Sequence, residues 1–100
     1  MAIASAIDLG TLGRIGTALA DPIRRSILVR LLDGPAYPAV LADEAGTTRA
    51  NLSNHLACLR DCGLVVATAE GRNVRYDLAD DRFGDALRLL ASLDLPGKCD

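Results

Sequence analysis

The sequence predicts a mainly α fold with a small β-hairpin, and three observations carry that prediction. Apolar residues recur at helical spacing in four stretches before residue 63 and in a fifth after residue 80. Between residues 64 and 78 the pattern changes to that of two short strands flanking Glu70-Gly71-Arg72. Two of the helices are short, joined by a tight turn at Gly46, and stand directly ahead of that hairpin. The order helix, helix, short helix, helix, hairpin, helix is the winged helix-turn-helix pattern.

Each element has its own signals. Leu9, Leu12, Gly16 and Leu19 place a first helix from about Ser5 to Ala20. Asp21 is a good N-cap and Pro22 suits the first position of a second helix, whose stripe is Ile23, Ile27, Leu28 and Leu31 and which Gly34-Pro35 ends. Pro38 opens a short third helix through Val40, Leu41 and Ala45, stopped by Gly46. Thr47 or Thr48 caps a fourth, with Leu52, Leu56 and Leu59 pointing inward and Gly63 closing it. Strands follow over Leu64 to Ala69 and Asn73 to Leu78. A last helix runs from about Asp81 to Leu93, with Phe83, Leu87 and Leu90 on its apolar face, ended by Pro96-Gly97.

One hundred residues allow one domain, here residues 1–95, with 96–100 as a tail carrying a cysteine. Half the residues are hydrophobic but only three are aromatic, so the core must be aliphatic. A domain this small gains from sharing a core with a second copy, and the first and last helices carry more apolar surface than the remaining helices need. A dimeric winged domain is therefore expected.

Composition excludes several classes. No run approaches the roughly 20 apolar residues that span a bilayer, so no membrane partner is expected. The start, MAIASAIDLG, lacks the positive region of a signal peptide, which makes the cytoplasm the expected location. An enzyme is not expected, with one histidine, no Gly-rich phosphate loop after a strand and no Ser/His/Asp set. The net charge of −2 weighs mildly against nucleic acid. Locally, however, Arg49, Arg60, Arg72 and Arg75 outnumber Asp61 and Glu70 between Thr47 and Tyr76, while acids gather at Asp77, Asp80, Asp81 and Asp85.

A helix that enters a major groove needs small and polar outer residues. The buried stripe of the fourth helix leaves Ala50, Ser53, Asn54 and Ala57 opposite it, at about 100° per residue. The expected DNA-binding set is Thr48, Arg49, Ala50, Asn51, Ser53, Asn54 and His55 on this helix, with Arg72, Asn73 and Arg75 on the hairpin.

Cys58 and Cys62 are four apart on the same helix, hence neighbours on one face, with β-carbons about 5–6 Å apart. That separation suits chelation of one ion better than a disulfide. The remaining cysteine, Cys99, lies in the tail. Three soft sulfurs favour a thiophilic ion such as Cd(II), Pb(II) or As(III) over Zn(II). Asn51, His55, Cys58 and Cys62 form one stripe beside the DNA face. His55 is expected to touch a phosphate, with a fourth metal ligand or a hydrogen-bond partner of a ligand as alternatives.

Three segments together resemble the ArsR/SmtB family of metal-responsive repressors: Ala18 to Leu28, Thr48 to Val66 with its Ser-Asn-His-Leu and Gly-Leu-Val core, and Glu70 to Tyr76. The likeness covers about Leu12 to Leu93. It implies a homodimer on a palindromic operator that represses transcription until a metal ion, the inducer, lowers its affinity for DNA. It also implies that Cys99 of the partner subunit completes a three-thiolate site with Cys58 and Cys62, one ion per subunit, Cd(II) or Pb(II) favoured. The sequence departs from the family's other metal sites. Arg24, Arg25 and Ser26 stand where one motif has its cysteine, and the His and Asp ligands of a last-helix site are absent. A thiol redox switch built on the same cysteines, and a repressor with no metal site, are the remaining alternatives.

Overall fold

The computed structural model of the protein describes residues 6–98. Its elements are α1 (Leu9–Ala20), α2 (Pro22–Leu31), α3 (Pro38–Ala45), α4 (Arg49–Asp61), β1 (Val65–Glu70), β2 (Asn73–Leu78) and α5 (Asp81–Ala91). The expected winged helix-turn-helix order is present, and the ends of the elements follow local capping chemistry. Asp8, Asp21 and Asp80 each accept a backbone N–H of the following helix, from Thr11, Arg24 and Arg82 respectively. Asp8 fixes the start of α1 at Leu9, later than the expected Ser5, which lies outside the described residues. Thr48 caps α4, its hydroxyl accepting from the Asn51 N–H at 3.0 Å.

Gly46 and Gly63 end the two helices of the helix-turn-helix in left-handed conformation, φ 68° and 77°. At Gly63 the Leu64 N–H donates to the Leu59 carbonyl at 3.0 Å and the Gly63 N–H to Arg60 at 2.9 Å. This closure sets the direction in which the chain leaves α4 for the wing. The last helix stops at Ala91 with Ser92 as its cap, two residues before the expected Leu93. Ser92 explains the early stop, because its hydroxyl turns back to the Leu89 carbonyl at 2.6 Å.

β1 and β2 pair antiparallel, Val65 opposite Leu78 through Glu70 opposite Asn73. The link between α2 and α3 joins this hairpin as well, through reciprocal hydrogen bonds of Ala36 and Tyr76 at 2.9 and 3.0 Å. The wing is thereby tied to the helix-turn-helix. The core gathers Ile27, Leu28 and Leu31 of α2, Leu41 of α3, Leu52, Leu56 and Leu59 of α4, Val65 and Tyr76 of the wing, and Leu87 of α5.

α1 and α5 are the least covered elements. Of α1 only Ala18 is buried, while Leu9 and Leu12 stay exposed. Leu89 and Leu90 at the far end of α5, and Leu93 beyond it, are exposed too, and Leu19, Val29, Leu32, Leu87 and Leu90 line an apolar groove of about 580 Å³ between α1, α2 and α5. No helix among the described residues is long and apolar enough to cross a membrane.

The three capping carboxyls sit below the usual 3.8, held there chiefly by hydrogen bonds from Thr11 to Asp8, from the Arg24 N–H to Asp21 and from Arg82 to Asp80. A depressed folded-state pKa means stability that is fully present above the ordinary value and lost as pH falls from there through the lowered one. The urea midpoint is therefore expected to hold from neutral pH to about pH 5 and to fall below about pH 4. Asp21→Asn keeps a good cap but removes a titrating group, so its acid limb should be shallower. An unchanged limb would show that the Asp21 cap carries none of this dependence.

Candidate nucleic-acid interface and thiol pair

α4 packs Leu52, Leu56 and Leu59 into the core and leaves Arg49, Ala50, Asn51, Ser53 and Asn54 exposed. The backbone on that side is covered only by small side chains, the requirement for close approach to base edges. Two of the expected residues also serve the helix itself. Thr48 is its cap, and the Asn51 side-chain amide donates to Thr47 Oγ1 at 2.8 Å. Ala57, on the same side of the helix one turn further on, is half-buried.

His55 is turned inward, away from the expected phosphate contact. Its Nδ1 lies 3.7 Å from Asp21 Oδ2 and 3.5 Å from Arg24 Nη1, with the side chain only 17% exposed. The reason is the start of α2, where the Asp21 cap and Arg24 present opposite charges to the ring. Arg24 also donates from Nη2 to the Thr17 carbonyl at 2.8 Å, so it ties α1 and α2 to the recognition helix, while its buried Nε has no hydrogen-bond partner among the described residues. Sequence spacing put His55 in the right stripe but carried no sign of the α2 terminus that faces it.

On the wing, Arg72 stands exposed in the tight turn whose Gly71 has φ 59°, and Asn73 is exposed beside it. Among the described residues neither Arg49 nor Arg72 forms an ion pair, so both remain available to phosphates. Arg75 differs. Its Nη1 donates to Glu70 Oε2 at 3.0 Å, and its Nε is 3.3 Å from Asp77 Oδ2 without hydrogen-bond geometry.

Cys58 lies in the last turn of α4 and Cys62 is its C-cap residue, both half-buried and both free thiols. The helical bond from the Cys62 N–H to the Cys58 carbonyl, 2.9 Å, keeps them one turn apart. Burial, and then the adjoining Cys58, push the Cys62 thiol above its ordinary 9.0. That direction is opposite to the one that makes a thiol reactive toward oxidants. Among the described residues no three His, Cys, Asp or Glu side chains are grouped to hold an ion. In this arrangement His55 Nδ1 faces Asp21 and Arg24, and Cys99 lies outside the described residues. The two soft, adjacent sulfurs fit one half of a thiolate site for a thiophilic ion and do not complete it. Residues Thr11, Arg14, Ile15, Gly63, Asp80 and Phe83 border an open cleft beside Cys62, with room for further donors to approach.

A short helix, a left-handed glycine turn, a capped helix with a small and polar outer face, and a hairpin tied to both define a winged helix-turn-helix DNA-binding protein. Residues 21–66 match the family model described as bacterial regulatory protein, arsR family. The transcriptional regulator CmtR of Mycobacterium tuberculosis strain H37Rv is 61% identical over 84 residues, which are 84% of this chain and 71% of that protein. The chain belongs to the ArsR family of transcriptional regulators. Among solved structures it resembles that of the cadmium metal-sensor CmtR from M. tuberculosis, with TM-score 0.69 and 55% identity over 88% of this chain and 96% of that one. It also resembles a homodimeric winged helix-turn-helix DNA-binding domain from Mycobacterium bovis, with TM-score 0.74 and 30% identity over 83% and 80% of the two chains. Relatives of this kind are regulators of transcription rather than enzymes.

Proposed function

We propose that the protein is a metal-responsive transcriptional repressor that binds operator DNA as a homodimer in the cytoplasm and is released by a thiophilic ion, Cd(II) or Pb(II) in preference and As(III) as a further inducer. One ion per subunit is held by Cys58, Cys62 and Cys99. The observation that carries this reading is the pair of adjacent, half-buried free thiols at the C-terminal end of the DNA-facing helix. The likeness to a protein described as a cadmium metal-sensor supports the metal class.

The exposed apolar faces of α1 and α5 support the dimer, as does the homodimeric state of the M. bovis relative. Residues 1–95 then form the DNA-binding and dimerising unit, and 96–100 the tail that brings the third sulfur. In the DNA complex, Ala50, Asn51, Ser53 and Asn54 meet base edges, and Thr48, Arg49, Arg72 and Asn73 meet the backbone. When bound, the ion supplies a shared Lewis-acid centre for soft thiolates. Gathering Cys58 and Cys62 toward a third sulfur constrains the last turn of α4, which lies one left-handed turn from the wing. A change in the angle between α4 and the hairpin weakens the grip on DNA by the coupling free energy, typically ~1–3 kcal/mol, and DNA weakens metal binding by the same factor.

The test is fluorescence anisotropy of the reduced protein on a duplex selected from a random-sequence pool, with ultraviolet spectra taken alongside. Added Cd(II) or Pb(II) should lower DNA affinity by about 5- to 150-fold and produce sulfur-to-metal charge-transfer absorption that saturates at one ion per subunit. DNA binding indifferent to Cd(II), Pb(II), Zn(II) and As(III), with no such absorption, would leave a family member without a metal site.

A further inference from the structure

The wing contains an acid–base cluster for which DNA reading by α4 has no need. Glu70, the last residue of β1, accepts from two donors: the Tyr37 hydroxyl at 2.6 Å to Oε1 and Arg75 Nη1 at 3.0 Å to Oε2. Arg75 also lies 3.3 Å from Asp77 Oδ2. Strand register explains the meeting. Glu70 is opposite Asn73 and Thr68 opposite Arg75, so Glu70 and Arg75 are diagonal neighbours on one face, with Asp77 two residues along on the same side. Tyr37 reaches them because its neighbour Ala36 is bridged to Tyr76. The hydrogen bond to Glu70 raises the Tyr37 pKa from the ordinary 10.0, which keeps the hydroxyl a donor.

Two carboxylates around one guanidinium leave this spot with an excess of negative charge on the same hairpin that carries Arg72. The pair is not sequestered, since the side chains of Arg75 and Glu70 are 37% and 36% exposed. A phosphate could reach either of them. Carboxylate and phosphate offer an arginine the same kind of charged oxygen acceptor.

We propose that Glu70 is an internal competitor for the DNA backbone, occupying Arg75 as a phosphate would, with Tyr37 holding it in place. The inference rests on the reading of the wing as a DNA-contacting element. Non-specific affinity comes almost entirely from neutralised phosphates. An arginine already neutralised within the protein adds little to it, and what it does add requires displacement of Glu70. The base-facing residues of α4 are untouched by this exchange. Glu70 thus lowers affinity for DNA at large more than affinity for an operator, and so acts as a specificity-determining residue although it need not touch a base.

The experiment is anisotropy on a labelled mixed-sequence DNA duplex over a series of NaCl concentrations, with thermal melts by circular dichroism for every variant. Glu70→Gln keeps an acceptor for Tyr37 and leaves Arg75 with Asp77 as its one carboxylate partner. It should bind about 3- to 10-fold more tightly at low salt, with a slope of log affinity against log salt steeper by up to about 0.9 per subunit. Tyr37→Phe retains all the charges and loses only the tether, so it should move in the same direction by less. In a Glu70→Gln/Arg75→Gln protein the gain should vanish relative to Arg75→Gln alone. A folded Glu70→Gln protein that binds no more tightly than the wild type would overturn the proposal. So would a gain that persists without Arg75, since it would then reflect only the lost negative charge. Wild-type protein that bound no duplex at any salt would overturn the DNA-binding reading itself, an outcome distinct from both.

Discussion

Replacing Cys58 and Cys62 together with serine is expected to abolish the response to Cd(II) and Pb(II) while leaving DNA binding in place. The two thiols are the only soft donors among the described residues, and both hang on the last turn and cap of α4. Serine is close in size but offers a hard oxygen that remains protonated, so it cannot replace a thiolate. The loss in metal affinity should exceed the roughly 10- to 100-fold that removal of a residue merely supporting a ligand costs. Each single variant should retain a weakened site, as should Cys99→Ser. Operator affinity without metal should stay within about 3-fold of wild type, because neither sulfur is on the outer face of Ala50, Ser53 and Asn54. Full release by Cd(II) of the double variant would move the sensor site elsewhere in the protein. Loss of DNA binding by the metal-free double variant would instead give the cysteines a packing role.

The parts of the fold that were legible in the sequence are those written in neighbouring residues. Asp21-Pro22, Gly46-Thr47-Thr48 and Gly63 are caps and stops whose hydrogen bonds close within five residues, so their positions follow from the chain itself. The spacing of Leu52, Leu56 and Leu59 likewise fixed which side of α4 is buried and which is free. Sequence reasoning fell short where a side chain is claimed by something distant. Arg72 and Arg75 look alike in the sequence, yet one is free and the other is held by Glu70 and Asp77, in a cluster closed by Tyr37, 33 residues from Glu70. His55 belongs to the same stripe as Asn51 but is captured by Asp21 and Arg24 from another helix. The apolar pattern beyond Ala91 continued through Leu93 although the helix had ended at the Ser92 cap, because a lone serine is a weak stop signal beside Pro96-Gly97 further on. Local chemistry fixes the elements, and tertiary contacts decide which charged groups remain free.

A charge reversal at the centre of the outer face of α4 separates recognition from stability. Asn54 is exposed and stands on the side of the helix away from Leu52, Leu56 and Leu59, so glutamate there disturbs no packing and has good helix propensity. Its melting free energy should lie within about 0.5 kcal/mol of wild type. In the DNA complex the same carboxylate would lie in a groove lined with acceptors and flanked by phosphates, replacing an amide that both donates and accepts. Loss of one base contact costs about 1–3 kcal/mol, and the added repulsion makes a fall in affinity of about 100-fold or more the expected result. Leu52→Ala provides the contrast. That side chain is fully buried, and its truncation should cost about 2–5 kcal/mol of stability, a large share of what a domain of this size has to lose. Leu52→Ala should therefore lose DNA binding together with its cooperative melt, whereas Asn54→Glu should lose it with the melt intact. If Asn54→Glu binds DNA as the wild type does, α4 is not the element in the groove. Readout would then fall to the wing, where Arg72 and Asn73 are the exposed candidates.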